Sequence, residues 1–238
     1  MTKKVLRAAF FSSLPVLMGY LTMGFAAGVL FASRVDLPYS FFWAFLSSAT
    51  SISGALQFLL SEWFASKTSL WDVALLTVCL NMRYAMYGLS LIERFKQVPL
   101  LKKLYLIWSL TDETYALEVE NKVPKGEDSI SYCLAVAIFD HIYWIVGVTA
   151  GAITGSGFNF DNRGIDFAMT ALFLVILTDQ CKEKCNRFPA VLGIVATLLS
   201  RIFFPPQSML IPAMAIMIIL LLVFRRQLDP LLKNKKRA

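Results

Sequence analysis

Charge is scarce in this sequence. Of its 238 residues, 16% are Asp, Glu, Lys or Arg, while 57% are hydrophobic. Soluble domains carry about 25% charged residues, so this composition excludes an ordinary soluble domain. We predict an all-α, polytopic integral membrane protein with about five to seven transmembrane helices, forming a single transmembrane domain over residues 1–238.

The sequence also lacks several signatures of catalysis and cofactor binding. It contains one histidine, whereas an HExxH zinc site needs two. It has no GxxxxGK[ST] nucleotide-binding loop, and no CxxC pair occurs among its four cysteines. We therefore expect no metal, no cofactor and no enzymatic activity.

Long apolar runs are what the sequence does contain. A helix needs roughly 20 apolar residues to cross the hydrocarbon core of a bilayer. The first run has no convincing small-residue cleavage site, which favours a helix over a signal peptide. Four runs are long enough to span, at about 10–33, 69–92, 129–152 and 207–224. Two shorter runs form either short spans or a membrane-embedded hairpin, at 165–180 and 188–204.

Two further apolar segments are interrupted. Segment 39–65 is broken in its middle by SSATSISG, and segment 104–118 is too short to cross and has TDET at its centre. Non-helical backbone is tolerated at membrane depth only where protein or a water-filled cavity satisfies its polar groups. Each segment is therefore either re-entrant or spanning, and SSATSISG is also compatible with an unbroken, serine-rich helix.

The distribution of basic residues favours the re-entrant alternative. If both interrupted segments enter and leave on the same side, 18 of the 23 Lys and Arg residues fall in the cytoplasm, as the positive-inside rule requires. This threading predicts a multi-pass protein of the cell membrane with both termini cytoplasmic. Since the basic residues flank apolar segments, we read them as topology signals and expect no nucleic-acid partner.

Arg83 lies in the middle of an apolar run, where a guanidinium is costly unless it is paired or hydrated. It is either part of a structural ion pair or a charge that lines a substrate route. Asp112 and Glu113 are its candidate partners. Two adjacent acids in low dielectric also suit a proton-carrying site, although both can instead lie in water at the interface. Because polar residues occupy more than one face of the Arg83 helix, we expect it to be buried in the bundle.

Two glycine pairs have GxxxG spacing, Gly24–Gly28 and Gly147–Gly151. This spacing favours close contact between membrane helices. Asp140 lies on the same helical stripe as the second pair, so we expect it to face the bundle rather than lipid.

Asp140 and His141 are adjacent near the centre of the run 129–152. Ionisable groups at this depth are functional candidates by default. His141 is either a packed, hydrogen-bonding residue or a proton relay.

Five stretches occur in an order and spacing that resemble one family. They read LPVLMGYLTMGFAAGVL, SISGALQF, NMRYAMYGLSL, TDETYAL and DFAMTALFLVIL. On these stretches the chain resembles the AzlC-type large subunits of branched-chain amino acid exporters over most of its length. The resemblance implies export of branched-chain amino acids, together with a separate small membrane subunit of the AzlD type.

The resemblance also implies which residues form the polar pathway. Arg83 or the half-helix ends would hold the substrate carboxylate, an acid or backbone carbonyls its ammonium group, and apolar neighbours its side chain. The pathway candidates are Gly54, Gln57, Asn81, Arg83, Tyr87, Thr111, Asp112, Glu113 and Thr114.

We hypothesise that the proton motive force drives this export, because acids lie in apolar segments and no nucleotide-binding loop is found. The family often has a neutral amide or histidine where this chain has Asp140–His141. The proton-coupling candidates are Asp112, Glu113, Asp140 and His141.

Two other functions stay open at this point. SISG followed by His141 faintly resembles an intramembrane serine hydrolase of the rhomboid type, although residue 51 is Ser rather than Gly. A membrane scaffold or sensor without transport activity is the other alternative.

Overall fold

A computed structural model of the protein describes residues 1–35, 37–66, 68–157, 174, 177, 178, 181, 182, 184–204 and 209–225. Every regular element among these residues is a helix, as the all-α prediction requires. In the first unit, residues 1–162, the helices are α1 (Lys3–Arg34), α2 (Ser40–Thr50), α3 (Gly54–Ser66), α4 (Leu70–Ser90), α5 (Leu100–Trp108), α6 (Asp112–Glu120) and α7 (Ser129–Gly157). In the second unit, residues 163–238, they are α8 (Lys184–Phe203) and α9 (Leu210–Val223).

Helices α1 and α7 form the centre of the first unit. They have 32 and 29 residues and are the two described helices that are long and apolar enough to cross a membrane. The predicted count of five to seven spans therefore stays a prediction, and segment 165–180 lies outside the described residues apart from isolated positions. The prediction of one domain over 1–238 is likewise untested.

The seam between α1 and α7 is built from glycines. A Cβ added to Gly28 would overlap the carbonyl oxygen of Val148, and one added to Gly151 would overlap that of Phe25. Gly24 and Gly147 face the opposite helix's backbone in the same way. The close contact predicted from both GxxxG pairs is confirmed, and at these four positions a side chain larger than hydrogen would meet the backbone of the other helix.

The same contacts show that α1 and α7 run parallel. Gly24 lies against Val148, and Gly28, one turn further, lies against Ala152. If both helices span, parallel orientation requires an odd number of crossings between them. If α4 also crosses, as the sequence predicts, it alone supplies this number when both interrupted segments are re-entrant, which is the threading that the basic residues favour.

Both interrupted segments are broken where the sequence predicts. Residues 51–53 separate α2 from α3, and residues 109–111 separate α5 from α6. Hydroxyl groups in the last turns of α2 bond back to its own carbonyls, which weakens the helix before the break; one such bond joins Thr50 Oγ1 to Leu46 O at 2.8 Å. Whether the segments are re-entrant stays a prediction.

Helix α4 differs from the sequence-based expectation. Within the first unit only Leu76 and Gly88 of its 21 residues are fully buried, so the bundle does not enclose it there. Its outward side chains include Val78, Met82 and Met86, each more than half exposed. Polar residues on two faces predicted burial, but the outer face is apolar enough to suit lipid.

The start of α7 is fixed by Asp128. Its carboxylate accepts hydrogen bonds from the Ser131 hydroxyl at 2.8 Å, the Ser131 backbone N–H at 2.9 Å and the Ile130 N–H at 3.3 Å. The bonds from Ser131 lower the pKa of the Asp128 carboxyl, because they favour its charged form. This cap lies outside the hydrophobic part of the helix.

Candidate functional site

The first helix break, α4 and the end of α5 border one cavity of about 240 Å³. The first break forms one wall, α4 a second, and the end of α5 a third. The lining residues are 50–53, Asn81, Tyr84, Ala85, Ile107 and Trp108. Most of the surface is apolar, with a few polar groups, which is the usual composition of a small-molecule site.

Helix ends with opposite partial charges meet at the first break. The last carbonyls of α2 carry partial negative charge, and the first N–H groups of α3 carry partial positive charge. The Ser53 hydroxyl, immediately before α3, donates to Asn81 Oδ1 at 3.3 Å. One wall of the cavity therefore presents both a cation-attracting and an anion-attracting helix end.

The second break is organised differently, because its helix start is already capped. The Thr111 hydroxyl accepts a hydrogen bond from the Thr114 N–H at 3.1 Å, and Asp112 and Glu113 follow in the first turn of α6. Acids at this position match the positive end of a helix. This end is therefore occupied by the protein's own negative groups.

Arg83 is paired with Asp112. Its Nη1 donates to Asp112 Oδ2 at 2.7 Å, and the Tyr87 hydroxyl donates to Asp112 Oδ1 at 2.9 Å. The guanidinium also donates to the Tyr84 hydroxyl at 3.1 Å and lies 4.9 Å from the centre of that ring. The Arg83 and Asp112 side chains remain 44% and 37% exposed. The predicted contact between Arg83 and TDET is thus present, directly beside the cavity-lining Tyr84.

Gly54 and Gln57 lie on the α3 side of the first break. Gln57 is buried, and its Nε2 donates to Ser47 Oγ in α2 at 2.9 Å, so one amide joins the two halves of the interrupted segment. A Cβ on Gly54 would lie 3.7 Å from the Trp144 ring, an ordinary contact distance.

A chain of buried hydroxyls connects α6 with α1 and α7. Tyr20 donates to Glu113 Oε2 at 3.0 Å and lies 2.5 Å from Thr111 Oγ1. Thr111 Oγ1 lies 3.0 Å from Thr114 Oγ1, which donates to Asp140 Oδ2 at 2.8 Å. Asp140 is 1% exposed, as expected for a residue that faces the bundle. We call this set, from Glu113 to Asp140, the hydroxyl chain.

His141 belongs to a different cluster. Its Nδ1 lies 3.1 Å from the Tyr105 hydroxyl, and its ring packs edge-on against Trp108 at 5.3 Å. It therefore supports a cavity-lining tryptophan rather than extending the hydroxyl chain from neighbouring Asp140.

The predicted residues thus fall into three groups. Gly54, Gln57 and Asn81 lie at the first break, whereas Arg83 and Tyr87 surround Asp112. The hydroxyl chain contains Glu113, Thr111, Thr114 and Asp140.

Sequence reasoning did not place Tyr20, Ser53 or Trp108 in the transport pathway, and Ser53 entered only as the nucleophile of the hydrolase alternative. Tyr20 and Ser53 lie inside the quoted family stretches, and that was the available signal. Trp108 carried no signal, since an aromatic residue in an apolar run is more often a packing residue.

The sequence profile of the AzlC protein family matches residues 15–158, which include every residue of these three groups. The chain belongs to the AzlC family. The predicted resemblance is therefore confirmed. No solved structure gives a significant match to this AzlC-family chain.

Similar proteins occur in several bacteria. The AzlC-family chain is 33% identical over 226 residues to a membrane protein of Helicobacter pylori, covering 95% of this chain and 97% of the relative. It is 30% identical over 223 residues to the branched-chain amino acid transport protein AzlC of Bacillus subtilis, covering 94% and 86%. It is 30% identical over 179 residues to the inner membrane protein YgaZ of Escherichia coli, covering 72% and 71%. These relatives and the two apolar helices support a membrane location.

Proposed function

We propose that this protein is a membrane transporter subunit that exports branched-chain amino acids from the cytoplasm. The observation that carries the proposal is the cavity between two broken helices, which combines helix ends of both signs with an apolar wall. A zwitterion with a hydrophobic side chain has matching chemistry. The AzlC family match and the name of the Bacillus relative support a transport role over an enzymatic one.

The substrate carboxylate is assigned to the start of α3. The N–H groups in the first turn of an α-helix have no acceptor within the helix and can bind an anion, and Asn81 lines the same wall. The start of α6 is a poorer carboxylate site, because the Thr111 cap, Asp112 and Glu113 already supply its negative partners. Arg83 contributes positive charge nearby, but most of it is offset by Asp112.

The ammonium group and side chain occupy the remaining walls. Carbonyls at the end of α2, near Thr50, attract the ammonium group. Ile52, Ala85, Ile107 and Trp108 form the surface that accepts the branched aliphatic side chain. Burial of such a side chain contributes about 1.5–3 kcal/mol, which favours hydrophobic amino acids over small polar ones.

Proton coupling is the proposed driving force. The hydroxyl chain ends in acids at both of its ends, Glu113 and Asp140, and Asp112 lies in the same turn as Glu113. His141 is retained as a coupling candidate through its contact with Trp108. The sequence contains no nucleotide-binding loop for an alternative energy source.

We also propose a membrane location and a topology for the protein. We assign it to the cell membrane as a multi-pass protein with cytoplasmic termini, in agreement with the distribution of its basic residues. Cysteine labelling at 66–68 and 93–103 tests this threading, since labelling of both from one side contradicts it.

A small AzlD-type membrane subunit is the proposed partner. Efflux measured with and without that subunit tests whether transport requires it.

A serine hydrolase receives no support from the contacts of its candidate residues. Hydrolysis needs the nucleophile within hydrogen-bond reach of its base. Ser53 donates to Asn81 instead, and His141 bonds to Tyr105. A scaffold or sensor without transport is distinguished by the efflux experiment.

Efflux from vesicles tests the proposed function. Vesicles containing the full chain are loaded with labelled leucine, valine or methionine, and release is followed with and without an imposed pH gradient. We expect gradient-dependent release that Ala85→Trp blocks, because the indole fills the cavity. Met86→Trp is the matched control, since Met86 is the next residue of α4 and points outward with 61% exposure. Equal release from vesicles without the protein contradicts transport, and release without dependence on any ion gradient contradicts the coupling.

A further inference from the structure

The hydroxyl chain has more contacts than hydrogens when both of its acids are ionised. Its four oxygen–oxygen contacts run from Glu113 through Tyr20, Thr111 and Thr114 to Asp140, at 3.0, 2.5, 3.0 and 2.8 Å. All four lie within hydrogen-bonding distance. Each hydroxyl supplies one hydrogen, so the chain has three, and an ionised carboxylate supplies none.

One contact is therefore left without a hydrogen in the doubly ionised state. If Tyr20 donates to Glu113 while Thr111 donates to Thr114, the 2.5 Å contact between Tyr20 and Thr111 brings together two oxygens without a hydrogen. A buried polar group that lacks a hydrogen bond destabilises the folded protein. A fourth hydrogen, on either carboxyl, completes all four bonds.

The missing hydrogen matters because the hydroxyl chain is buried. Tyr20, Thr111, Thr114 and Asp140 are each at most 6% exposed, so bulk water cannot satisfy the missing bond. Asp140 Oδ1 has no hydrogen-bond partner in the part of the chain that the structure describes. A buried carboxylate with so few partners is costly, and such groups take up a proton instead.

The surrounding titratable groups favour one added proton. The groups that act on Asp140 or on the chain are Glu113 and Glu118 of α6, Tyr20 of α1, Tyr105 of α5 and Tyr143 of α7, with Arg94 acting on Glu118. The groups that act directly on Asp140 are acids and phenols, which carry negative charge or none. Two ionised ends therefore repel each other, and a single shared proton removes that repulsion.

We propose that Tyr20, Thr111 and Thr114 form a proton wire between Glu113 and Asp140, and that the chain holds one exchangeable proton. With the proton on Asp140, every hydroxyl donates towards Glu113; with the proton on Glu113, every hydroxyl donates towards Asp140. Reversing the four bonds moves one proton from one carboxyl to the other, and no other bond changes. Glu113, the exposed end, exchanges the proton with water, and Asp140 stores it between α6 and α7.

This inference rests on the proposed proton coupling and names the groups that carry the proton. Its first test does not depend on transport. Infrared spectra of the full chain in lipid, recorded from about pH 5 to about pH 9, report the C=O band of a buried protonated carboxyl. We expect this band in the wild-type protein.

Tyr20→Phe is the decisive variant. It leaves Thr111, Thr114 and Asp140 with two hydrogens for two contacts, so an added proton is no longer needed to complete the hydrogen bonds. Asp140→Asn identifies the Asp140 part of the band and separates it from any part due to Glu118, whose buried carboxyl oxygens also have no hydrogen-bond partner among the described residues. We expect the Asp140 part to disappear at a lower pH in Tyr20→Phe than in the wild-type protein. Tyr143→Phe is the matched control, because its hydroxyl lies 3.2 Å from Ser13 Oγ, outside the chain, and the band should persist. If the Asp140 part of the band disappears at the same pH in Tyr20→Phe as in the wild type, the proton wire is overturned.

Efflux supplies the second test. We expect Tyr20→Phe and Thr114→Val to slow pH-gradient-driven efflux at least about tenfold, whereas Thr114→Ser retains it because the hydroxyl is restored. Melting temperatures establish that each variant is folded. If the wild type is coupled to protons and all three variants match it, the wire alone is wrong. If the wild type shows no proton coupling, the proposed driving force is wrong. The infrared comparison still decides whether the hydroxyl chain holds a proton.

Discussion

The two sides of the first unit are built on opposite principles. At the α1–α7 seam, glycines bring two long helices into backbone contact, and no space is left between them. On the α4 side, two helices are broken, a cavity is open, and most of α4 is exposed. The comparison distinguishes a tightly packed wall, the α1–α7 seam, from a side of the unit where interrupted helices leave space for a small molecule. The hydroxyl chain crosses from one to the other, since Tyr20 and Asp140 belong to the wall and Thr111 and Thr114 to a broken segment.

The largest effect on stability is expected at the seam. Gly28→Ala places a methyl group against the Val148 carbonyl and 2.7 Å from Ala152 N, so the helices must separate. We expect a loss of at least about 2 kcal/mol, measured as a lower melting temperature in detergent. Gly19→Ala is the control on the same helix, because nothing lies within 4 Å of its added Cβ. Equal melting of both variants would contradict the tightly packed wall.

The largest effect on transport is expected on the opposite side. Asp112→Asn leaves Arg83 without its anionic partner beside the cavity. Since both side chains are partly exposed, the pair itself stabilises the fold by no more than about 1 kcal/mol. We expect efflux to fall at least about tenfold with a nearly unchanged melting temperature. Glu120→Gln is the control. Glu120 lies on α6, as Asp112 does, and its substitution breaks an exposed pair with Lys122 that should leave efflux intact.

A smaller effect is expected at the first break. Ser53→Ala removes the hydrogen bond to Asn81 on the cavity wall. A single neutral hydrogen bond contributes about 0.5–1.5 kcal/mol, so efflux should fall by about threefold to tenfold rather than disappear. Ser66→Ala, at the exposed far end of α3, should leave efflux unchanged. If Ser53→Ala instead abolishes a peptide-cleaving activity, the hydrolase replaces the transporter.

The smallest effect is expected outside both regions, at the Asp128 cap. Because its pKa is lowered in the folded protein, its stabilisation is complete above the ordinary range of an aspartate and is lost as the pH falls through the lowered value. Asp128→Asn should therefore flatten the acid limb of the melting curve. An N-cap contributes about 1 kcal/mol, so the shift in melting temperature is modest. An acid limb identical to that of the wild type contradicts the cap.

Those parts of the fold that depend on local pattern were predictable. Two glycine pairs with the same spacing predicted the seam, and clustered hydroxyl residues predicted the first break. The contact between Arg83 and Asp112 followed from the cost of an unpaired charge in an apolar run. Each of these predictions needs only the chemistry of a few neighbouring residues.

Features that depend on distant pairing were not predictable. Tyr20 lies 91 positions from Thr111, and a tyrosine in an apolar helix has the same pattern whether it packs or donates a hydrogen bond. Asp140 and His141 are neighbours in sequence, yet they face different clusters, because successive helical residues point about 100° apart. The exposure of α4 was missed because a side chain's polarity does not tell whether lipid or protein covers the opposite face.

The bond from Gln57 to Ser47 has a mechanical consequence. The bond joins α2 to α3 across the first break. The two helices therefore stay connected although residues 51–53 between them are not helical. We therefore expect this bond to limit movement of α2 relative to α3. Gln57→Leu removes this bond and should leave α2 and α3 free to shift relative to each other.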